Sequence, residues 1–414
     1  MNTFTIIFLA AVAFSYAVEF WLSSRQLAHV RAHRAEVPEA FRSSISLEAH
    51  QKAADYTVAK GSLGKIDRAV GVAVLLLFTL GGGIDWVAEF WMGLGLPLTL
   101  AGVGIILSTL LLMQLIDLPL SLYKTFVLEE RFGFNRNTPK QYANDLLLQI
   151  GLTLAIGAPL LALILWVMGA VGPLWWVLAW AILQSFSILI SWAFPTFIAP
   201  LFNKFTPLED AGLRGRIEAL MERCGFHSKG IFVMDGSRRS GHGNAYFTGI
   251  GSNKRIVFFD TLVNSLSHEE LEAVLAHELG HFKRKHVLKM LLTSAVLSLG
   301  GLAVLGWLMG QNWFYEGLGV SIQSNATALL LFMLASPPFT LFLQPAMAHF
   351  QRRYEFEADD FASQHARSQD LVSALVKLYR DNASTLTPDP LYSAFHYSHP
   401  PAAVRIANLE AKAS

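Results

Sequence analysis

Long apolar blocks alternate along the chain with polar connections. The blocks run from 4 to 22, 69 to 82, 92 to 116, 145 to 168, 173 to 193, 287 to 309 and 326 to 350. A hydrocarbon core about 30 Å thick is crossed by about 20 helical residues, so the pattern predicts seven transmembrane helices. The second block is short and ends in Gly81, Gly82 and Gly83. The first has no basic residue before it and is followed by Arg25, Arg31 and Arg34. A cleavable leader carries its charge first, so this block reads as a retained span.

The connections test the count, because Lys and Arg of short loops collect on the cytoplasmic side. They crowd 24 to 68, 117 to 144, 194 to 286 and the tail after 351, whereas 83 to 91, 169 to 172 and 310 to 325 hold none. This alternation predicts an outside N-terminus, a cytoplasmic C-terminus and both large polar segments in the cytoplasm. Within the first of these, Leu213, Ile217, Leu220 and Met221 have helical spacing, and 231 to 234 and 255 to 259 read as short strands. Neither segment is a full domain alone, so an α+β unit has to join them around the last two spans. The division expected is 1–193 for five membrane helices, 194–286 for the first part of the polar unit, 287–350 for two further helices and 351–414 for its second part.

Composition agrees with the bilayer reading. Of 414 residues, 53% are hydrophobic and 15% charged, against about 25% charged in soluble domains; mean hydropathy is +0.41. The formal net charge of +1 offers no basic field for a phosphate backbone, which excludes nucleic acid as a partner. A single cysteine, Cys224, excludes an internal disulfide framework and a Cys-based zinc site.

Residues 277 to 281 read His-Glu-Leu-Gly-His. On a helix, two histidines four apart project from one face and can hold one metal, while Glu278 lies about 100° round, within reach of a metal-bound water. The helix is written into the flanks: Ser267 and Glu270 form a capping box, Leu271, Val274 and Leu275 an apolar stripe, and Lys283, Arg284 and Lys285 suit the C-terminal end. A catalytic zinc needs a third protein ligand. After the seventh block, Glu355 and Asp359 fall four apart on one predicted helix face, so that one binds metal and the other orients a histidine. Glu357 is the second choice as ligand, and a solvated acidic helix start is the bland alternative. Glu19 and Asp117 are ionisable residues inside spans, and Pro337, Pro338 and Pro345 predict a kinked seventh helix.

Several stretches taken together carry a resemblance: HELGH, Arg352 to Asp359 (RRYEFEAD), Tyr123 to Asn135 (YKTFVLEERFGFN), Ile198 to Leu208 (IAPLFNKFTPL), Asn244 to Phe247 (NAYF), and Tyr397 to Pro401 (YSHPP) followed by Arg405. In this order they resemble the Ste24 family of integral-membrane zinc metalloproteases, the CAAX prenyl proteases of peptidase family M48. The resemblance implies a mostly α fold of seven transmembrane helices around a water-filled chamber, with a split α+β zincin-like domain. It implies one Zn2+ held by His277, His281 and Glu355, with Glu278 as general base and Asp359 as neighbour of the ligands. His399 and Arg405 would sit near the zinc, His399 donating to the oxyanion. Asn244, Ala245 and Tyr246 would lie beside the substrate as an edge strand.

The implied activity is endopeptidase cleavage near the C-terminus of a prenylated protein. The expected partners are a peptide or protein substrate, prenylated or not, and the lipid bilayer, with no obligate protein partner. A quality-control protease needing no prenyl group shares the chemistry. A non-catalytic zinc scaffold or a transporter is the alternative of another class, and the intact Glu278 argues against it, since holding metal needs only the three ligands. Compact loops, short length and no C-terminal retention signal point to a bacterial inner membrane.

Overall fold

The computed structural model describes residues 2–226, 230–248 and 255–413. Its helices are α1 (Thr3–Ala32), α2 (Leu47–Phe78), α3 (Gly83–Gly93), α4 (Leu98–Tyr123), α5 (Pro139–Leu152), α6 (Ala158–Ala170), α7 (Trp175–Ala193), α8 (Ala199–Phe202), α9 (Ala211–Arg223), α10 (Asp260–Ser265), α11 (His268–Lys283), α12 (His286–Leu308), α13 (Asn312–Gly317), α14 (Asn325–Ala335), α15 (Pro337–Thr340), α16 (Leu343–His365), α17 (Ser368–Asp381), α18 (Pro390–His396) and α19 (Ala402–Ala413). The strands are β1 (Phe205–Pro207), β2 (Ile231–Met234), β3 (Ala245–Thr248) and β4 (Arg255–Phe259). Polar side chains set several starts: Asn2, Ser46, Thr138, Asp210 and Ser267 each accept an amide of the first turn they cap.

Among the described residues, five stretches are long and apolar enough to cross a bilayer: Thr3–Ala32, Leu98–Glu129, Pro139–Ala170, Trp175–Phe202 and His286–Leu308. Three of them pass through π-helical turns, at Lys124–Glu129, Thr153–Gly157 and Phe194–Ile198. The last contains Pro195, and a widened turn accommodates a residue that has no amide to donate. A sixth crossing results if α2 and α3 are one span, bent by 49° at the glycines. Gly82 takes φ 79° there, a left-handed conformation open to glycine at little cost.

The block expected as a seventh helix, 326 to 350, is not continuous. It comprises α14, α15 and the start of α16, and α14 with 11 residues is too short to cross alone. The cause is Pro337-Pro338, which removes two amide donors in succession. Beyond the break α16 runs on through Glu355 and Asp359.

Two large apolar cores result. One joins α1 to α4, α6, α7 and α12 to α14 through residues such as Phe8, Phe78, Ile105, Val167, Leu305 and Leu330. The other contains Leu213, Ile217, Phe258, Leu271 and Leu275 together with Phe361, Leu371, Leu375 and Leu409, so residues from both large polar segments share one interior. Val37, Phe41 and Ile45, from the connection after α1, are buried in it as well. The sheet has the order β1-β2-β4-β3, with β2 and β4 parallel and the outer pairs antiparallel, which leaves β3 an edge strand.

Candidate metal centre

Helix α11 begins as its sequence predicts. Glu270 donates its amide to the Ser267 hydroxyl at 3.3 Å, and its carboxylate accepts the Ser267 amide at 2.7 Å. The buried Glu270 carboxylate also accepts Ser373 Oγ at 2.6 Å and Lys377 Nζ at 2.7 Å, so α17 fastens the same end. The other end packs closely on α16. A Cβ at Gly280 would lie 2.9 Å from Ala358 Cα and 3.0 Å from Ala358 O. The glycine of HELGH therefore lets two helix backbones touch, with the histidines on one and the carboxylates on the other.

At this contact His277 Nε2 and His281 Nε2 stand 3.2 Å apart. Glu355 places Oε1 3.2 Å from His281 Nε2 and Oε2 3.5 Å from His277 Nε2. One ligand atom from each residue falls within 4.8 Å of the others. Glu355 Oε2 is buried and has no close hydrogen-bond partner, its nearest cationic or imidazole neighbours being Arg405 at 3.3 Å and His277 Nε2 at 3.5 Å. Two imidazole nitrogens and one carboxylate are the donor set of a borderline divalent metal.

The outer nitrogens of both histidines are committed. His277 Nδ1 donates to Asp359 Oδ1 at 2.8 Å, and Arg405 holds Asp359 with two bonds of 2.6 and 2.9 Å. Arg405 also stands 3.3 Å from Glu355 Oε2. His281 Nδ1 lies 3.1 Å from His286 Nδ1, and His286 Nε2 lies 3.1 Å from Glu357 Oε2. With His281 Nε2 kept as a ligand atom, its Nδ1–H donates to His286, whose Nε2–H donates to Glu357. Each ligand thus has its tautomer fixed by a chain ending in a carboxylate. Glu357, the second choice as ligand, faces His286, while Glu355 stands with the two histidines.

The local fields agree. Burial alone would push the His277 imidazole down, but bonds to Asp359 and Glu355 outweigh it and raise it to about 9. Burial would likewise raise Glu355 and Asp359, yet His277 with His281, and His277 with Arg405, hold them below the carboxylate range. Burial pushes the Glu278 carboxyl up, the direction a general base at neutral pH requires. Its charged neighbours are His277, His281, Glu355 and Arg405.

His399 approaches from the open side: its side chain is 61% exposed and its Nε2 is 3.4 Å from Glu355 Oε1. Seven of the residues singled out in sequence are therefore together: His277, Glu278, His281, Glu355, Asp359, His399 and Arg405. Asn244, Ala245 and Tyr246 share no hydrogen bond with them and lie at the sheet edge. There the Phe259 amide donates to the Asn244 carbonyl at 2.9 Å, and Tyr246 is paired with Val257. Bonded pairs alternate in an antiparallel ladder, so the main chain of Asn244 and Tyr246 is spent inside the sheet. Ala245 and Phe247 face the free edge, with the Ala245 amide on Asn244 Oδ1 at 2.8 Å. His286 and Tyr354, stacked at 4.3 Å, are participants that sequence reasoning missed. On an unbroken helix His286 would point about 140° away from His281. Lys285, at φ 58°, breaks the helix and turns it back.

The chain is also similar to known proteins along most of its length. The family model described as CAAX prenyl protease N-terminal, five membrane helices, matches residues 26–204, and that of peptidase family M48 matches 207–413. The chain is 35% identical over 408 residues to CAAX prenyl protease 1 homolog of Arabidopsis thaliana, covering 95% of each. It is 34% identical over 426 residues to CAAX prenyl protease 1 of Saccharomyces cerevisiae, covering 95% of this chain and 92% of that one. The crystal structure of S. mikatae Ste24p matches with a TM-score of 0.91 at 33% identity, over 99% of each chain. A His-His-Glu group with His277 and Glu355 buried, in a chain similar throughout to these proteins, makes this a membrane metalloendopeptidase, and the chain belongs to the Ste24-type CAAX prenyl proteases of peptidase family M48.

Proposed function

We propose that the metal is zinc, one per chain, held by His277, His281 and Glu355, and that the protein hydrolyses a peptide bond near the C-terminus of a prenylated substrate. The observation that carries the reading is the spacing of the donor atoms. Bonds of about 2.0–2.2 Å give a tetrahedron with edges of about 3.3–3.6 Å; the two imidazole nitrogens are 3.2 Å apart, and the Glu355 carboxylate turns one oxygen to each, Oε1 3.2 Å from His281 Nε2 and Oε2 3.5 Å from His277 Nε2. Zinc in such a site lowers the pKa of water towards about 7 and polarises a carbonyl.

Glu278 takes the proton of the attacking water and passes it to the leaving amine. His399, exposed beside Glu355, donates to the oxyanion, a contribution of about 3 kcal/mol. Asp359 and Arg405 keep His277 in the tautomer that presents Nε2. The edge formed by Asn244, Ala245 and Tyr246 receives the substrate main chain, chiefly through the outward groups of Ala245 and Phe247.

The reading extends to the whole chain: five crossings in 1–193, two in 287–350 with the last broken at Pro337-Pro338, and a catalytic unit assembled from 194–286 and 351–414. The distribution of Lys and Arg supports an outside N-terminus and a cytoplasmic catalytic unit, and the compact loops support a bacterial inner membrane. The test is cleavage of matched farnesylated and unprenylated CAAX peptides by detergent-purified wild type and Glu278→Gln, with zinc counted in both. Cleavage by wild type alone, confined to the farnesylated peptide, is expected. Equal cleavage of both peptides replaces the CAAX reading with the quality-control one, and an active Glu278→Gln removes the proposed base.

A further inference from the structure

A cavity of about 620 Å³ lies between α1, α2 and the stretch from α17 through α18. That is the size of a small-ligand pocket. Lys60 and Arg68 project into its wall, and among the described residues no carboxylate lines it. Arg68 is partly satisfied, 3.3 Å from Glu19 and donating to Ser23 at 2.6 Å. Lys60 has no such anchor: it lies 5.0 Å from the centre of the Tyr56 ring and makes no ion pair among the described residues. The nearby Glu129 is already engaged, accepting the Tyr56 hydroxyl at 2.8 and 3.0 Å. Two cations in one cavity wall, with no carboxylate lining it among the described residues, favour an anion there.

The cavity also has a definite relation to the metal centre. Tyr379 lines it and lies within electrostatic reach of Arg405 and Glu355. His242 and Asn382 line it too. Asn382 clamps the Gly243 main chain, accepting its amide at 2.9 Å and donating to its carbonyl at 3.2 Å, just before β3 begins. The edge strand therefore starts at the cavity rim. A peptide added antiparallel to β3 runs the opposite way, so its C-terminal end arrives where β3 starts. The anion a peptide carries at that end is its α-carboxylate.

We propose that this cavity receives the carboxyl-terminal end of the substrate, and that Lys60, with Arg68 beside it, holds the free α-carboxylate. The proposal rests on the peptide-cleaving reading above and names what sets the cut close to a chain terminus. A peptide lacking the carboxylate loses a charge-assisted bond to Lys60, about tenfold in binding.

The test is equilibrium binding of a labelled peptide, as free acid and as carboxamide, to full-length Glu278→Gln in detergent, which binds without turning over. The acid is expected to bind at least about tenfold tighter. Lys60→Met should bring the two forms level, and Lys60→Arg should restore most of the preference, with metal content and thermal unfolding showing each variant folded. Equal binding of acid and amide overturns the proposal, as does a preference that survives Lys60→Met. Displacement of both forms alike by inorganic phosphate or phosphatidylglycerol vesicles also overturns it, assigning the cations to a lipid headgroup. An acid preference abolished by Lys60→Met in a protein that cleaves no peptide would refute the protease reading and leave the carboxylate site standing.

Discussion

The contact between α11 and α16 at Gly280 makes a sharp prediction. A methyl group there would lie 2.9 Å from Ala358 Cα, 3.0 Å from Ala358 O and 3.1 Å from Phe361 Cβ. Ordinary carbon contacts lie at about 3.5–4.0 Å, so Gly280→Ala has to part the helices by roughly half an ångström or more. All three neighbours are backbone or Cβ atoms of the packed helix and have no rotamer to turn away. Overpacking of this kind costs about 1–3 kcal/mol, against about 1 kcal/mol recovered from better helix propensity, for a net loss of up to about 2 kcal/mol. The metal site feels it more, because His281 and Glu355 sit on opposite sides of the same contact at 3.2 Å. Metal–ligand distances tolerate only about 0.2 Å. A loss of about 10- to 100-fold in zinc affinity is expected, comparable to removal of a group that orients a ligand. Chelator competition and thermal unfolding on purified protein measure both quantities. Gly215→Ala in α9 is the control, since a Cβ there meets nothing within 4 Å, and it should stabilise slightly. Zinc affinity within twofold of wild type in Gly280→Ala would show that the close approach does not set the ligand spacing.

Three further outcomes follow from the same geometry. Glu355→Ala should lose bound metal while Glu357→Ala keeps it with weakened affinity, by about tenfold, because Glu357 acts through His286 and His281; metal counting decides, and the opposite order would reassign the third ligand. Zinc affinity should rise with pH, about tenfold per unit from pH 7 until His277 loses its proton near 9. In the metal-free protein the sign reverses: the raised His277 stabilises fully below its ordinary value and that contribution fades as pH climbs through about 9. Asp359→Asn should lower that pKa and flatten the zinc profile, read by chelator competition between pH 6 and 9. Arg405→Lys keeps the charge but should lose the two-pronged hold on Asp359, raising the zinc dissociation constant read by the same chelator competition.

Much of the centre is legible in the chain because it depends on short-range periodicity. Ser267 and Glu270 fix a helix start, and residues four apart then share a face whatever surrounds them, which is why His277 and His281, and Glu355 and Asp359, can be paired in advance. Apolar runs mark most spans for the same local reason. What escapes depends on breaks and on distant packing. His286 joins His281 only through the left-handed turn at Lys285, a residue type that does not advertise one. Val37 and Phe41 read as a linker and prove to be core, because the surface that buries them is built from residues almost two hundred positions later. The pairing phase of β3, which spends the main chain of Tyr246 inside the sheet, is set by its partner β4.

The broken seventh block bears on how a membrane protein positions hydrolytic chemistry. His277 and His281 precede by a few residues the start of α12 at His286, a helix long enough to cross the bilayer. Glu355 and Asp359 lie on α16, which begins at Leu343 right after the Pro337-Pro338 break. Both halves of the His-His-Glu group are therefore carried by helices tied directly to apolar segments, and they meet at the contact that Gly280 permits. An unbroken helix from 326 to 365 would have a single axis, fixing the direction of its polar end by the packing of its apolar one. The proline pair separates the two, so that α14 packs in the membrane core while α16 takes the direction α11 demands. Replacing both prolines with alanine should therefore weaken zinc binding at a distance, through Glu355 and with no ligand touched. Unchanged zinc affinity in that variant, with α14 and α16 fused into one helix, would show that the direction of α16 is set by its contact with α11 alone.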